Sequence, residues 1–396
     1  MQISQREYQN ELDTFLSYLN FEKKKCFGIQ MNQENQDCLD FAPFLEHTLN
    51  NLGDPFCGEG GHLETFKYER ELVRIVSEIL QLNAEDVWGY YTSGSSISNL
   101  QGVHLGLRKM GENTILVTSE DAHNSITKAA YITRVKQIVQ LPTNNEGQID
   151  PDALSEFLSN TDRSQNFVFC FCSGTVSKGA YDDVELLVSV IDQYITKEQY
   201  YVHLDAALGG MITPFLEGRP LKLDFSVPEI DSLSVSFHKR VGIPVPGSLF
   251  LMRRSSLMTC NANSYVEDYA SFDTTIPGSR DGLTPFITLM KLKKIGIQGM
   301  VDRTENVLQK AKWFHERLLS YDIKSLRNDF SPCVYFEVSS PDMLKEFHMP
   351  TYRKSDGKIY THIFTMEHVC QNELNNLLNK IVSYKKKDIP VLTVSK

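Results

Sequence analysis

Lys239 closes the alternating run SVSFHK (234–239), with His238 beside it and Gly242, Pro244 and Pro246 just beyond. An amine desolvated at a strand end gives up its proton more readily and becomes a nucleophile able to condense with an aldehyde. Taken singly, a lysine after a strand is most often solvent-exposed. Asp205 ends the run YYVHLD (200–205) and is followed by Ala206, Ala207, Gly209 and Gly210. A carboxylate there is costly to bury unless a cation faces it, and its small neighbours leave room for something flat. His123 follows NTILVTS (113–119); its imidazole can stack on a flat ring or serve as an acid or base, although a lone loop histidine is more often structural. TSGSSISNLQG (92–102) sets Ser and Gly ahead of a helix. Free backbone N–H groups and the helix dipole attract a phosphate at such a place, and the same residues also serve as ordinary caps.

Each of these signals is weak alone. Together they supply a phosphate cradle, a stacking ring, a carboxylate for a ring nitrogen and an aldehyde-trapping lysine, which are the anchors that pyridoxal 5'-phosphate requires.

The elements that must position them alternate. β-rich runs at 113–119, 137–142, 166–174, 200–205, 232–237 and 247–253 are separated by helix-period stretches such as 152–160 and 183–195. That is the pattern of repeated βαβ units and a mostly parallel sheet, whose ligands bind at the carboxyl ends of the strands. Residues 62–82 read as a long amphipathic helix, with apolar residues recurring at three and four. Residues 284–320 read as a helical segment broken near Gly296 and Gly299, leading into PCVYFEVSS, IYTHIFTM and the helix QNELNNLLNKIV. The organisation expected is an N-terminal segment (1–60), a large α/β domain (61–285) and a smaller C-terminal α+β domain (286–396).

Among 396 residues, 41% are hydrophobic and 23% charged, with a net charge of −10. That balance argues against a general nucleic-acid or anionic-membrane binder, which needs a concentrated positive field. The runs Lys23–Lys25 and Lys385–Lys387 are too short to change this and read as solvated faces. No stretch approaches the roughly 20 apolar residues of a membrane helix, so a cytoplasmic protein is expected. The eight cysteines include no Cys-x-x-Cys pair; Cys170 and Cys172 fall on one side of a strand, where packing is a better expectation than a metal site, and no metal is expected.

The chain resembles the pyridoxal-phosphate-dependent group II amino-acid decarboxylases, above all bacterial histidine decarboxylases and plant serine decarboxylases. The resemblance runs from about residue 40 onward. It is carried by NNLGDPF (50–56), WGYYTSGSSISN (88–99), DAHNSI (121–126), SGTVSKGAYDD (173–183), YVHLDAALGGMITPF (201–215), SVSFHK (234–239) and IPGSRDG (276–282). It implies a fold-type I homodimer with active sites at the subunit interface and an N-terminal segment that wraps the partner and lines the site. It also implies roles: Lys239 as the Schiff-base lysine, Asp205 facing the pyridine nitrogen and His123 stacked on the ring. Ser95, Ser96, Ser236 and His238 fall where the family holds the phosphate, Thr175 in a strand-end motif near the cofactor, and Ala207 at the small position beneath the ring. The activity implied is decarboxylation of an L-amino acid, first L-histidine to histamine, with serine, an aromatic amino acid, another pyridoxal-phosphate reaction or a non-catalytic relative as alternatives. Three positions depart from the pattern. Ser95-Ser96-Ile97-Ser98-Asn99 stands for the usual Gly-Thr-Glu-Gly-Asn, Val176 for a Thr, and Phe237 for a Gly before His238. The first change is expected to alter backbone approach to the phosphate, and Phe237 to reshape the substrate pocket or tilt the cofactor.

Overall fold

A computed structural model describes residues 3–57, 62–111, 113–260, 264–267, 271–347, 349–354 and 357–387. Seven strands form its main sheet: β1 (Val87–Thr92), β2 (Thr114–Ser119), β3 (Gln137–Leu141), β4 (Asn166–Cys172), β5 (Tyr200–Asp205), β6 (Ile230–Ser236) and β7 (Ser248–Arg253). Six of them coincide with the β-rich runs; β1 lies within WGYYT, which the sequence marked only as part of a motif. Their order is β1-β7-β6-β5-β4-β2-β3. Pairing is parallel from β6 to β3, and β7 alone runs against both its neighbours.

Both faces of the sheet are covered, so its central strands are buried throughout, as expected of parallel strands under two helical layers. Alternation still sorts the side chains. Phe167, Phe169 and Phe171 of β4 enter the core built with the helices at Phe66–Ile79, Pro151–Ser159 and Val184–Ile191. Val168 and Cys170 enter the opposite core, with the helices at Ser95–Met110 and Asn124–Ile132. The repeated βαβ units and mostly parallel sheet read from the sequence therefore correspond to a fold-type I α/β architecture.

The helix Leu283–Ser320 joins the two lobes and bends at Gly296, whose φ of 68° and ψ of 173° no helix accommodates. Leu289 and Leu292 pack on the large sheet, whereas Phe314 and Leu318 belong to the core of a four-stranded antiparallel sheet. The helix Gln371–Lys387 covers that second sheet. At the other end of the chain, Gln5–Lys23 is a helix begun by a Ser4–Glu7 capping box, and none of its residues is buried. The segment after it returns to the protein, with Phe27 seated in the small-lobe core. Lys25 lies over the Phe21 ring and Lys385 donates to the carbonyls of Tyr321 and Asp322; the side chains of Lys386 and Lys387 lie outside the described residues. Among the described residues, no helix is long and apolar enough to cross a membrane.

Candidate active site

β1, β2, β4, β5 and β6 all run the same way, so their carboxyl ends meet at one edge of the sheet. A cavity of about 220 Å³ opens there. Ser95, Ser96, His123, Thr175, Asp205, Ala207, Ser236, His238 and Lys239 all line it. Nine side chains spread over 145 positions of sequence thus meet in one place because five strands end together.

At one end of the cavity the helix Ser95–Met110 begins. Its first residue is preceded by Gly94, at φ 109°, a conformation that suits glycine. No side chain caps this helix and its first turn carries no acid, so the first N–H groups and the positive end of the dipole stand at the cavity wall. Hydroxyls surround them. Ser95 Oγ lies 2.5 Å from Ser236 Oγ and 2.9 Å from Ser248 Oγ, and Ser98 Oγ lies 2.8 Å from Thr92 Oγ1. The serines that replace the usual glycines therefore join a hydroxyl cluster at the start of the helix. His238 Nδ1 accepts from the Gly247 N–H at 3.3 Å, and Thr175 Oγ1 accepts from the Ala180 N–H at 2.9 Å.

Asp205 is 8% exposed and takes only neutral donors: the Ala207 N–H at 3.1 Å, Ser234 Oγ at 3.3 Å and Asn99 Nδ2 at 2.8 Å. A relay stands behind it. Asn99 Oδ1 accepts from Ser234 Oγ at 2.8 Å and lies 3.1 Å from His203 Nε2, while His203 Nδ1 lies 2.8 Å from Ser232 Oγ, which accepts from Tyr201 at 2.6 Å. Burial pushes the His203 pKa down to about 4, so the imidazole is neutral and passes on a dipole, not a charge. No cation hydrogen-bonds to the carboxylate among the described residues, which leaves it able to pair with one arriving in the cavity.

His123 caps the helix Asn124–Ile132. Its Nδ1 accepts from the Ser125 N–H at 3.1 Å, which leaves the proton on Nε2. Burial lowers the pKa of His123 and of His238, and Lys239 adds to the effect on both. Lys239 sits on a short helical turn, Phe237–Arg240, directly after β6. It is half-buried at the cavity wall, and desolvation lowers its pKa against the opposing charge of Asp205. Nζ donates to Gln30 Oε1 at 2.7 Å.

Residues 69–325 match the pyridoxal-dependent decarboxylase conserved domain. The chain belongs to that family. It is 33% identical to a histidine decarboxylase of Solanum lycopersicum over 82% of this chain and 78% of that protein. It is 34% identical to serine decarboxylase 3 of Oryza sativa subsp. japonica over 86% of this chain and 75% of that protein. Its fold superposes on L-methionine decarboxylase from Streptomyces sp. 590 with a TM-score of 0.87, at 21% identity and 96% coverage of both chains. The cofactor of the family is pyridoxal phosphate, and the cavity suits it: a helix start with free N–H groups for a dianion, a buried carboxylate hydrogen-bonded only to neutral donors, and a lysine whose pKa is lowered.

Phe237 departs from what the sequence suggested. It does not enter the cavity; it is fully buried in the large core and stacks on Tyr91, ring centroids 6.0 Å apart and 5° from parallel. As the first residue of the turn after β6 it points into the sheet's core, while His238 and Lys239 point to the edge. The motifs NNLGDPF and IPGSRDG also lie apart from the cavity in this chain. Asn51 and Arg280 converge on the buried Glu69, and Asp54 accepts from Trp88 Nε1 at 2.9 Å.

Four residues behind Asp205 went unread in the sequence: Asn99, Ser125, His203 and Ser234. One signal was present, since His203 and Asp205 are two apart in a strand and must share a face. Gln30 carried no signal of its own beyond the implied approach of the N-terminal segment to the site, because it reaches Lys239 from 209 positions away.

Proposed function

We propose that the protein decarboxylates L-histidine, releasing histamine and CO2, with Lys239 as the amine that takes the cofactor's aldehyde. The observation that carries this reading is the cavity itself, where a lysine of lowered pKa, a carboxylate held only by neutral donors and an uncapped helix start face one another. Pyridoxal phosphate, when bound, supplies an electron sink for the pair left as CO2 departs.

The chain's own groups set the conditions. The N–H groups at the start of Ser95–Met110, with Ser95, Ser96, Ser236 and His238, hold the phosphate. Asp205, oriented by Asn99 and Ser234, keeps a proton on the ring nitrogen through its opposite charge in a site of low dielectric. His123 would hold the ring and Ala207 is the small residue that would admit it, with Thr175 on the same cavity wall. Similarity to the tomato histidine decarboxylase supports histidine, and the rice protein supports serine as the second substrate to try. We further propose a homodimer. Helix Gln5–Lys23 leaves Leu12, Phe15, Leu16 and Leu19 exposed, an apolar face that a second copy would cover.

The test is an absorbance titration with pyridoxal phosphate followed by an amino-acid panel with amine and CO2 detection. An absorbance band near the visible that Lys239→Ala lacks, with histamine formed from L-histidine, is the expected result. Absence of the band in the unaltered protein refutes the chemistry, and ethanolamine from L-serine refutes the substrate.

A further inference from the structure

Residues 26–34 form a strap over Lys239, fastened at several points. Phe27 lies in the small-lobe core, and its carbonyl accepts from the Phe364 N–H. His362 Nε2 donates to the Gly28 carbonyl at 3.1 Å, and His368 binds the Cys26 carbonyl and the Gln33 N–H at 3.2 and 3.3 Å. Asn32 bonds to the His238 carbonyl through its N–H and to the Arg240 carbonyl through Nδ2. Gln30 sits between the fixed points at 28 and 32. It is 8% exposed, and its two polar ends are unequal: Oε1 accepts from Lys239 Nζ, while Nε2 is buried with no partner.

A buried carboxamide N–H₂ without an acceptor is a rare expense in a folded protein, and it signals a partner that arrives later. The position identifies that partner. Nε2 shares a planar amide with the oxygen that touches Lys239, so it lies beside the lysine nitrogen. A substrate whose amino group takes the place of that nitrogen brings its α-carboxylate within reach of the same amide. Among the described residues that line the cavity there is no arginine, and Lys239 is the one lysine. A neutral donor also suits this reaction better than a cation. An ion pair would stabilise the carboxylate in the ground state, whose charge must leave it as CO2 forms, whereas an amide N–H orients it with less ground-state stabilisation.

We infer that Gln30 is a substrate-touching residue, its Nε2–H donating to the α-carboxylate of the amino acid. The inference rests on the decarboxylase reading above and adds the residue that recognises the group to be lost. It is tested on cofactor-loaded Gln30→Leu and Gln30→Glu by spectral titration with two pairs, L-histidine with histamine and L-serine with ethanolamine. Each pair differs only in the carboxylate. For the pair that the unaltered protein binds, Gln30→Leu is expected to weaken the amino acid about tenfold or more, the share of a hydrogen bond to a charged group, and the amine less than twofold. Gln30→Glu keeps the acceptor for Lys239 but turns the donor into an anion, and weakens the amino acid further still. Equal weakening of amino acid and amine, or none, overturns the role of Gln30 while leaving the decarboxylase reading intact. Failure of the unaltered protein to bind either pair overturns the reading and the inference together.

Discussion

Arg240, the residue after Lys239, is fully buried and lies 2.5 Å from Glu367, which is itself 5% exposed. Its Nη2 also donates to Thr304 Oγ1 at 3.2 Å. The pair ties the turn that carries the reactive lysine to the small lobe. Desolvation raises the Glu367 pKa, opposed mainly by Arg240 and less by Arg303. Arg240→Met preserves much of the side-chain volume and removes the cation. Stranding one member of a buried pair costs about 3–5 kcal/mol, and the nearby Arg303 places the expected loss near the lower figure, about 3 kcal/mol. The stranded carboxyl can also escape by binding a proton. Its folded pKa then lies further above the unfolded value, so between the two the folded state binds more protons and stability rises as pH falls, by about 1.4 kcal/mol per pH unit. Urea unfolding of the cofactor-loaded protein, followed by circular dichroism at pH 8 and pH 6, is expected to show most of the loss at pH 8 and little at pH 6. Adding Glu367→Gln to the variant should restore stability at pH 8 and remove its acid recovery. A loss that is the same at both pH values, or a double variant as unstable as the single one, refutes the reasoning.

Phe237→Ala should lower stability by about 3–5 kcal/mol, the range for emptying a buried aromatic site, and leave the choice of amino acid unchanged; altered substrate preference would place the ring at the cavity after all. Asn99→Leu removes the donor to Asp205 and the acceptor of Ser234, and equilibrium dialysis should find pyridoxal phosphate held at least about tenfold more weakly. Unchanged retention would deny the relay any part in holding the cofactor. In the cofactor-free protein the lowered pKa of Lys239 means a larger neutral fraction at pH 7 than an ordinary lysine has, so competitive amine labelling should modify it ahead of exposed lysines lacking such a shift; labelling no faster than theirs contradicts the desolvated site. His362 and His368 are pushed by burial to about 4. Their unfolded forms bind more protons between about pH 6.5 and pH 4, so their contribution to stability falls as pH drops through that window. Limited proteolysis should then cut the strap at pH 5 and spare it at pH 7, and equal cutting at both would count against the two histidines as its fasteners.

The strand ends were legible because parallel strands write their burial directly into sequence: runs such as NFVFCFC and YYVHLD are β-rich along their whole length, and the residue that stops each run marks the edge where ligands bind. Asp205 and Lys239 were readable for that reason. β1 escaped because WGYYT precedes a stretch that drew attention as a phosphate loop, and its pairing with β7 is set by a strand 156 positions later. The effect of Phe237 was misjudged because neighbouring residues in a helical turn diverge by about a quarter of a circle, so being next to Lys239 in sequence did not mean sharing its cavity. Of the strap, only the resemblance gave notice, by implying an N-terminal segment that lines the site; its residues gave none. Nothing in FGIQMNQ is periodic or charged, and its partners lie on the turn after β6 and on or just beyond the last strand of the small lobe.

That strap also imposes an order on assembly. Its contacts with His362 and His368 span 334 to 342 positions, so they form only after nearly the whole chain has left the ribosome. The main sheet needs nothing beyond Arg253 to complete its strands, and domains generally fold as units from the N-terminal side during synthesis. An emerging chain therefore has β6 and its lysine in place well before the cover is fastened. The amine therefore stands uncovered on a finished sheet while the last strands are being made, and the cover is among the last local pieces to be fastened.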